Sequence, residues 1–320
     1  MFPKMQRFGK VLQDKLWRER MNAAFLSAVL CVVTRALLNI CDRKIFQKEA
    51  TDFLKSIFYN ALFPFLVSWA VTLLCFDNNS YFAAYLFEPG VISSALGAQA
   101  AAMIFSHCFS KMTVKSVVVS SKMADLFIPL MIFLVTSEYK ISDYCFSLLS
   151  TILFFPILYM IIKYKSEIYF KTSLALIVIL VFQAGINSYF AMHALADSWV
   201  KFLSMVTCIL LWRIFFIMGL YAWEWVKALP QSEHSAKKNV AYLALLLRAF
   251  LAFISQAAFF YSITRVSGNI AWPLLNSTPL VACFSAHILL REHTGKTELW
   301  TLAGFLVLST FYIVLHGSVS

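Results

Sequence analysis

The chain has 320 residues, of which 61% are hydrophobic and 13% are charged, and its mean hydropathy is +0.75. Soluble proteins keep about a quarter of their residues charged, so this composition excludes an ordinary soluble domain and indicates an integral membrane protein. The net charge of +11 does not indicate nucleic-acid binding, because the basic residues are divided between an N-terminal leader, short loops and a few positions inside apolar segments.

Residues 1–20 are predicted to form a basic amphipathic segment. Six basic side chains lie in it: Lys4, Arg7, Lys10, Lys15, Arg18 and Arg20. Between them, Met5, Phe8, Leu12 and Leu16 recur at helical spacing. A helix with one apolar and one basic face lies on an anionic lipid surface, so we expect this segment to contact the bilayer.

Ten apolar runs follow the leader. About 20 apolar residues are needed to cross the hydrocarbon of a bilayer. The predicted spans are 22–41, 53–75, 91–110, 114–136, 142–162, 172–191, 199–226, 239–262, 266–290 and 297–316. The two longest connections, 76–90 and 227–238, are too short to hold a soluble domain. The predicted fold class is therefore all-α integral membrane, with ten transmembrane helices.

The basic residues of the connections set the expected orientation. Connections after odd-numbered spans hold most of the loop lysines and arginines, for example Arg43, Lys163 and Lys238, and alone they favour placing those connections in the cytoplasm. The charges of the leader favour the opposite orientation, with both termini in the cytoplasm. Because the first helix usually determines orientation, we expect cytoplasmic termini, in a plasma or inner membrane.

The chain resembles itself at a spacing near 150 residues. The segments TVKSVVVSSKMADLFIPL and TRVSGNIAWPLLNSTPL each begin with Thr and end near a proline, at Pro129 and Pro279. A short charged turn follows each of them, at Glu138 and Glu292. Any two apolar stretches align to some degree, but the shared order favours two five-helix repeats, 21–167 and 168–320. Because five is odd, the second repeat is expected to be inverted in the membrane.

A family resemblance rests on two segments. FFYSITRVSGNIAWPLLNSTPLVACFSAHILLREHTGKTELWTLAGFLVLSTFYIVLHG resembles the ninth and tenth helices of the drug/metabolite transporter superfamily, as found in EamA-like and nucleotide-sugar-transporter-like carriers. The Gly-Glu turn of that family reads Arg291-Glu292 here, so the glycine is missing. SSKMADLFIPLMIFLVTSEYKIS resembles the fourth helix of the nucleotide-sugar and sugar-phosphate branch, in which a lysine often precedes a proline and faces the substrate; Lys122 falls at that position.

The resemblance covers most of the chain in its number of spans and about a third of it by residue pattern. It implies ten helices, two inverted repeats and alternating access around a central cavity. It implies no particular substrate, because the superfamily carries amino acids, nucleotide sugars, sugar phosphates, nucleoside-type metabolites and drugs.

Two charged residues lie deep in the fourth predicted span. Lys122, Asp125 and Pro129 share one helical face at steps of three and four. A charge at the bilayer centre costs about 2.5–3.5 kcal/mol, so both side chains are expected to face the bundle interior. Lys122 is then a candidate for binding an anionic group of a substrate, and Asp125 for holding Lys122 charged, pairing with a cation or carrying a proton. The alternative is that the two charges only neutralise each other.

The corresponding face of the ninth span carries Trp272 and Asn276 beside Pro279. Together with the fourth span they offer charge, hydrogen bonds and stacking for a polar, planar ligand. The alternatives are an interfacial position for the tryptophan and helix–helix hydrogen bonding for the asparagine.

Three arginines lie inside other spans, at Arg35, Arg213 and Arg248. They predict an electropositive cavity that binds carboxylate or phosphate by bidentate contacts, unless each arginine instead caps backbone carbonyls or pairs with a buried acid. Three amide side chains are predicted to line the same pathway: Gln99, Gln183 and Asn187.

Motifs of catalysis and of metal binding are absent from the sequence. It contains no HExxH motif, no Asp-rich cation motif and no Gly-rich phosphate loop, and its seven cysteines form no CxxC pair. We therefore expect no metal site, no cofactor and no enzymatic activity.

The sequence favours a secondary transporter or exchanger that moves a small polar metabolite by alternating access. The expected substrate carries a carboxylate or phosphate and is amino-acid-like or nucleoside-like. The expected partners are that small molecule and the lipid bilayer, with no nucleic acid, for a monomer or homodimer. Two alternatives remain: a membrane enzyme acting on lipids, and a non-transporting membrane protein that binds a partner.

Overall fold

The structure is a computed structural model, and it describes part of the chain. The described residues are 26–43, 53–75, 80–137, 141–163, 170–193, 199–228, 242–265 and 278–291, together with residues 23 and 275 and single positions between 295 and 311. Of these residues, 96% are helical and none lies in a β-strand. The amphipathic leader predicted at 1–20 lies outside the described residues.

The described helices lie in both halves of the chain. The first half contains α1 (26–43), α2 (Phe53–Cys75), α3 (Ser80–Leu86), α4 (Pro89–Lys111), α5 (Val114–Lys122), a 3₁₀ turn (Met123–Leu126), α6 (Ile128–Thr136) and α7 (Ile141–Lys163). The second half contains α8 (Phe170–His193), α9 (Trp199–Ala228), α10 (Tyr242–Arg265) and α11 (Thr278–Leu290). The described positions from 296 to 311 are also helical.

Helical residues occur in each of the ten predicted spans. Among the described residues, five helices contain stretches long and apolar enough to cross a membrane: Ile57–Leu74, Pro89–Lys111, Lys171–Tyr189, Val200–Trp223 and Leu245–Ser262. Large apolar side chains also cover the outside of the bundle; Leu74 is 87% exposed and Leu134 is 68% exposed. Soluble monomers rarely expose large contiguous apolar surfaces, so this surface is suited to lipid and the chain is an integral membrane protein.

The connection predicted at 76–90 contains a helix that hydropathy did not indicate. α3 is only seven residues long, and it lies against α9. Trp212 on α9 donates a hydrogen bond from Nε1 to the carbonyl of Leu86 at 2.6 Å, and Lys201 lies over the ring of Tyr81. The aromatic residues of α3 therefore pack onto the bundle, although the segment is too short to produce a span signal.

The fourth predicted span is not one continuous α-helix. α5 begins at the N-cap Thr113, whose hydroxyl accepts a hydrogen bond from the amide of Ser116, and it ends at Lys122. A 3₁₀ turn follows, and α6 restarts with Pro129 in its first turn. Proline has no amide hydrogen to donate, and it is tolerated where a helix begins. The break therefore falls between the lysine and the proline of the predicted site.

The long helices pack in a pattern that leaves a space at the centre. α9 lies along α2 and α4, α10 lies along α2, α4 lies along α8, and α5 lies along α11. The largest buried cluster is formed around the α9 residues Met205 and Ile209. α6 and α8 approach each other closely at Gly185, where an added Cβ would lie 2.8 Å from the side chain of Met131. These contacts hold in place the helices that surround the central space.

Candidate functional site

A cavity of about 270 Å³ lies between the helices of the two halves of the chain. Six charged side chains line it: Arg35, Asp42, Lys122, Asp125, Arg213 and Arg248. Four amides also line it: Asn39, Gln183, Asn187 and Gln256. The four cations outnumber the two carboxylates, so the charged residues described around the cavity leave an excess of two positive charges.

The structure brings most of the predicted site residues together. Seven of the ten line the cavity: Arg35, Lys122, Asp125, Gln183, Asn187, Arg213 and Arg248. Gln99 does not line it but is buried beside it, bonded to a cavity arginine. The remaining two, Trp272 and Asn276, lie outside the described residues. Nearby on the same segment, Leu275 and Thr278 line the cavity.

Arg248 and Asp42 form a buried ion pair that joins α10 to α1. Arg248 donates from Nε to one carboxylate oxygen of Asp42 and from Nη2 to the other, the second contact measuring 3.1 Å. Both side chains are about nine-tenths buried. A planar guanidinium matches a carboxylate in this two-point geometry, so the pair holds the two helices in a fixed orientation.

Lys122 and Asp125 form a second ion pair within one short segment. The lysine Nζ lies 2.5 Å from Oδ2 of Asp125, three positions later, and both residues are buried. Lys122 is the last residue of α5 and Asp125 lies in the 3₁₀ turn. The tighter winding of a 3₁₀ turn places side chains three positions apart directly above one another, which favours this contact.

Arg213 is held by an amide and has no carboxylate bound to it among the described residues. Its Nε donates a hydrogen bond to Oε1 of Gln99 at 3.1 Å. It also lies close enough to Arg248 and Asp42 to be influenced by both charges. The guanidinium has four further N–H donors. Arg213 therefore adds positive charge beside an arginine whose own charge is already neutralised.

Arg35 lies on α1, and its guanidinium carbon lies 4.5 Å from the ring centroid of Phe259 on α10. The face of an aromatic ring attracts a cation, but it supplies no negative charge. Arg35 precedes Asp42 by seven positions, so the two side chains lie on the same face of α1, about two helical turns apart. The cavity therefore contains cations at two heights along α1: Arg35 at one, and Arg213 and Arg248 near Asp42 at the other.

Sequence reasoning missed several residues of the cavity. Asp42 continues the helical face of Arg35 and Asn39, but the spacing alone did not identify it as the partner of Arg248. Gln256 lies eight positions after Arg248 on the same face of α10, a periodicity that would have found it. Within the part of the chain that is described, no group of three His, Cys, Asp or Glu residues has the geometry of a metal site.

Comparison with known proteins adds evidence about the fold. No protein-family model matches the chain, and no curated protein matches it. A solved structure described as "Crystal structure of protein" is similar to it, with a TM-score of 0.63 over 95% of this chain and 99% of that chain, at 10% identity. At that identity the likeness shows the fold alone. The fold and the apolar surface define a helical integral membrane protein, and its architecture recurs in a solved protein of almost the same extent.

Proposed function

We propose that the chain is a secondary transporter or exchanger that moves a small anionic organic metabolite across a membrane by alternating access. The observation that carries the proposal is the cavity between the apolar helices, whose described lining has two more positive than negative charges. Charged side chains within a membrane bundle are costly and mark substrate or ion pathways. An electropositive cavity attracts an anion, and its arginines offer bidentate contacts to carboxylate or phosphate.

The size of the cavity supports a small substrate. Ligand pockets commonly have volumes of about 300–1,000 Å³, and the cavity of about 270 Å³ lies just below that range. It suits an organic acid, an amino acid or a small phosphate ester better than a nucleotide sugar. Gln183 and Asn187 supply uncharged hydrogen-bonding groups beside the cations, and Oδ1 of Asn187 is buried without a partner among the described residues.

The cavity lining supports two inverted five-helix repeats. α1 contributes the cavity residues Arg35, Leu38, Asn39 and Asp42, and α8 contributes Leu180, Gln183, Ala184 and Asn187. In both sets, successive lining residues are separated by three, one and three positions in the sequence. Each residue of the second set lies 145 positions after its counterpart in the first set. Likewise, Asp125 and Ile128 are followed 150 positions later by Leu275 and Thr278, which also line the cavity. Equivalent positions of two repeats would line a shared site in this way.

The helix contacts also support the two repeats, because contacts of the first half have counterparts when equivalent helices of the two halves are exchanged. Under the proposed repeat, α1 corresponds to α8, α2 to α9, α4 to α10, and the α5–α6 segment to α11. α4 packs on α8 and α9, and correspondingly α10 contacts α1 through the Asp42–Arg248 pair and packs on α2. α2 packs on α9 and α5 on α11, which are pairs of equivalent elements. This pattern supports ten transmembrane helices, with repeats at 21–167 and 168–320.

The proposal includes membership of the drug/metabolite transporter superfamily and specific roles for the predicted residues. Arg213, Arg35, Lys122 and Arg248 provide the positive charge that attracts the substrate. Asp125 neutralises Lys122. The amides of Gln99, Gln183 and Asn187, with Trp272 and Asn276, complete the site. The protein is proposed to act as a monomer or homodimer in a plasma or inner membrane, with both termini in the cytoplasm.

Uptake into proteoliposomes tests the proposal. Vesicles that contain the purified chain are incubated with a defined mixture of small carboxylates, phosphate esters and amino acids, and the trapped solutes are quantified by mass spectrometry. We expect anionic solutes to enter faster than into protein-free vesicles. Arg213→Gln should lower that rate by about tenfold or more, because a hydrogen bond to a charged group contributes about 1.5–3 kcal/mol.

The matched control is Lys201→Gln, which removes a cation from the same helix, α9, outside the cavity lining. It should leave uptake near the wild-type rate. Equal solute content in vesicles with and without the protein would contradict transport. Equal losses in the two variants would contradict the assignment of the site to Arg213.

A further inference from the structure

Two of the four cations in the described lining of the cavity have no carboxylate partner among the described residues. Asp42 is bound by Arg248, and Asp125 is bound by Lys122. That leaves Arg35 and Arg213, neither of which has a carboxylate partner among the described residues; Arg35 lies over an aromatic ring, and Arg213 donates to an amide. Of the 16 acidic residues in the chain, Asp42 and Asp125 are the two found in the described lining.

Both arginines stay positively charged, because a guanidinium group remains protonated in proteins. A buried cation without a counter-ion is costly in a membrane, and a partner that brings negative charge lowers that cost. The amide nitrogen of Gln99 adds a donor that is buried without a hydrogen-bond partner among the described residues. The described lining of the site therefore has two arginines without a negative counter-charge.

The two arginines are associated with different levels of the cavity. Arg213 lies near Asp42, and Arg35 lies seven positions before Asp42 on α1. Seven residues of α-helix rise by about 10 Å. At the second level, Phe259 supports the guanidinium of Arg35 from the α10 side. A ligand that neutralises both arginines must present negative charge at two separate positions.

We infer that the cavity binds a divalent organic anion with two separate acidic groups, one directed to Arg35 on α1 and the other to Arg213 on α9. This inference rests on the proposed transport function and names its substrate class. A short α,ω-dicarboxylate fits this description. A single carboxylate would leave one of the two arginines without a counter-charge.

Matched pairs of ligands test the inference on the purified full-length chain. The dianions are succinate, glutarate and adipate, and the matched monoanions are succinamate, glutaramate and monomethyl adipate. Binding is measured by the rise in melting temperature with ligand concentration. At least one dianion should bind about tenfold or more tightly than its monoanionic partner, because one charge-assisted contact is lost in the monoanion.

Charge-removing variants then locate the two contacts. Arg35→Gln and Arg213→Gln should each abolish the preference for the dianion, because only one cation without a counter-charge remains. Lys201→Gln should keep the preference. The inference is overturned if no dianion binds, if monoanions bind the wild type equally well, if inorganic phosphate binds as tightly as the best two-ended ligand, or if either arginine variant keeps the full preference.

Counterflow in vesicles separates this inference from the proposed function. Dianion binding without any flux would leave the site assignment standing and reject the transporter. Flux of monoanions with no preference for dianions would leave the transporter standing and reject the divalent substrate.

Discussion

The two ion pairs of the cavity neutralise charge in different ways. Lys122 and Asp125 are three positions apart, in one segment of the first half of the chain. Arg248 and Asp42 are 206 positions apart and join α10 to α1. The members of the local pair lie on adjoining elements, Lys122 at the end of α5 and Asp125 in the 3₁₀ turn that follows it, so the chain itself holds them close together. A movement of α10 relative to α1 would stretch the pair that joins them.

This difference bears on the alternating access that we propose for the chain. A contact favours one conformation only if its free energy differs between the two conformations. Under the proposed mechanism, we expect the local pair to keep nearly the same energy in both conformations, because its two members are three positions apart in the chain. The pair between α1 and α10 differs between states if those helices separate, and we expect it to set which conformation is favoured.

The largest expected effect comes from breaking the pair between helices. Asp42→Asn leaves Arg248 without its carboxylate partner, and removing one partner of a buried pair costs about 3–5 kcal/mol. The free energy of unfolding, measured by denaturant titration in mixed micelles, should fall by that amount. The double variant Asp42→Asn/Arg248→Gln should recover much of the loss, because it also removes the uncompensated cation. Equal losses in the single and double variants would contradict the pairing.

Hydropathy predicted helices in the five described segments that are long and apolar enough to cross a membrane, because burial in lipid requires long apolar runs. Helical residues lie in all ten predicted intervals, and α2 has the predicted bounds, 53–75. The same signal missed α3, because seven residues are too few for a span. It also missed the break at Lys122, because periodicity does not distinguish an α-helix from a short 3₁₀ turn within it.

The cavity was only partly predictable, because sequence spacing shows which residues share a helix face and not which helices meet. Reading each span separately identified Arg248 and Arg213 as candidates. It did not show that Asp42 neutralises the first of them while Gln99 is bonded to the second. Those partners lie 206 and 114 positions away, and only the packed bundle brings them together.

A smaller effect is expected from the local pair. A double-mutant cycle with Lys122→Ala, Asp125→Asn and both changes together should give a coupling energy of about 1–3 kcal/mol in unfolding. Uptake should collapse in Lys122→Ala, since that change removes one of the cavity cations. A coupling energy near zero would mean that the buried contact does not stabilise the fold. Uptake at the wild-type rate would exclude Lys122 from the site.

The smallest effect should come from a residue without charge that positions the local pair. α6 follows the Lys122–Asp125 segment directly in the chain and packs against α8, where Gly185 leaves room for Met131. Gly185→Ala puts a methyl group 2.8 Å from that side chain, and such overpacking costs about 1–3 kcal/mol, with the lower end expected because methionine is flexible.

The matched control for this packing contact is Gly219→Ala on α9, where, apart from the adjacent residues and backbone of α9 itself, no atom of the described residues lies within 4 Å of the added Cβ. Alanine forms helix more readily than glycine by roughly 0.5–1 kcal/mol, so the control should not lose stability. The free energy of unfolding of each variant is measured by denaturant titration in mixed micelles and compared with that of the wild type. If Gly185→Ala were as stable as the control, packing at this position would not hold α6 in place. The Lys122–Asp125 segment would then have to be positioned by its other neighbours, α7 and α8, acting directly on the 3₁₀ turn.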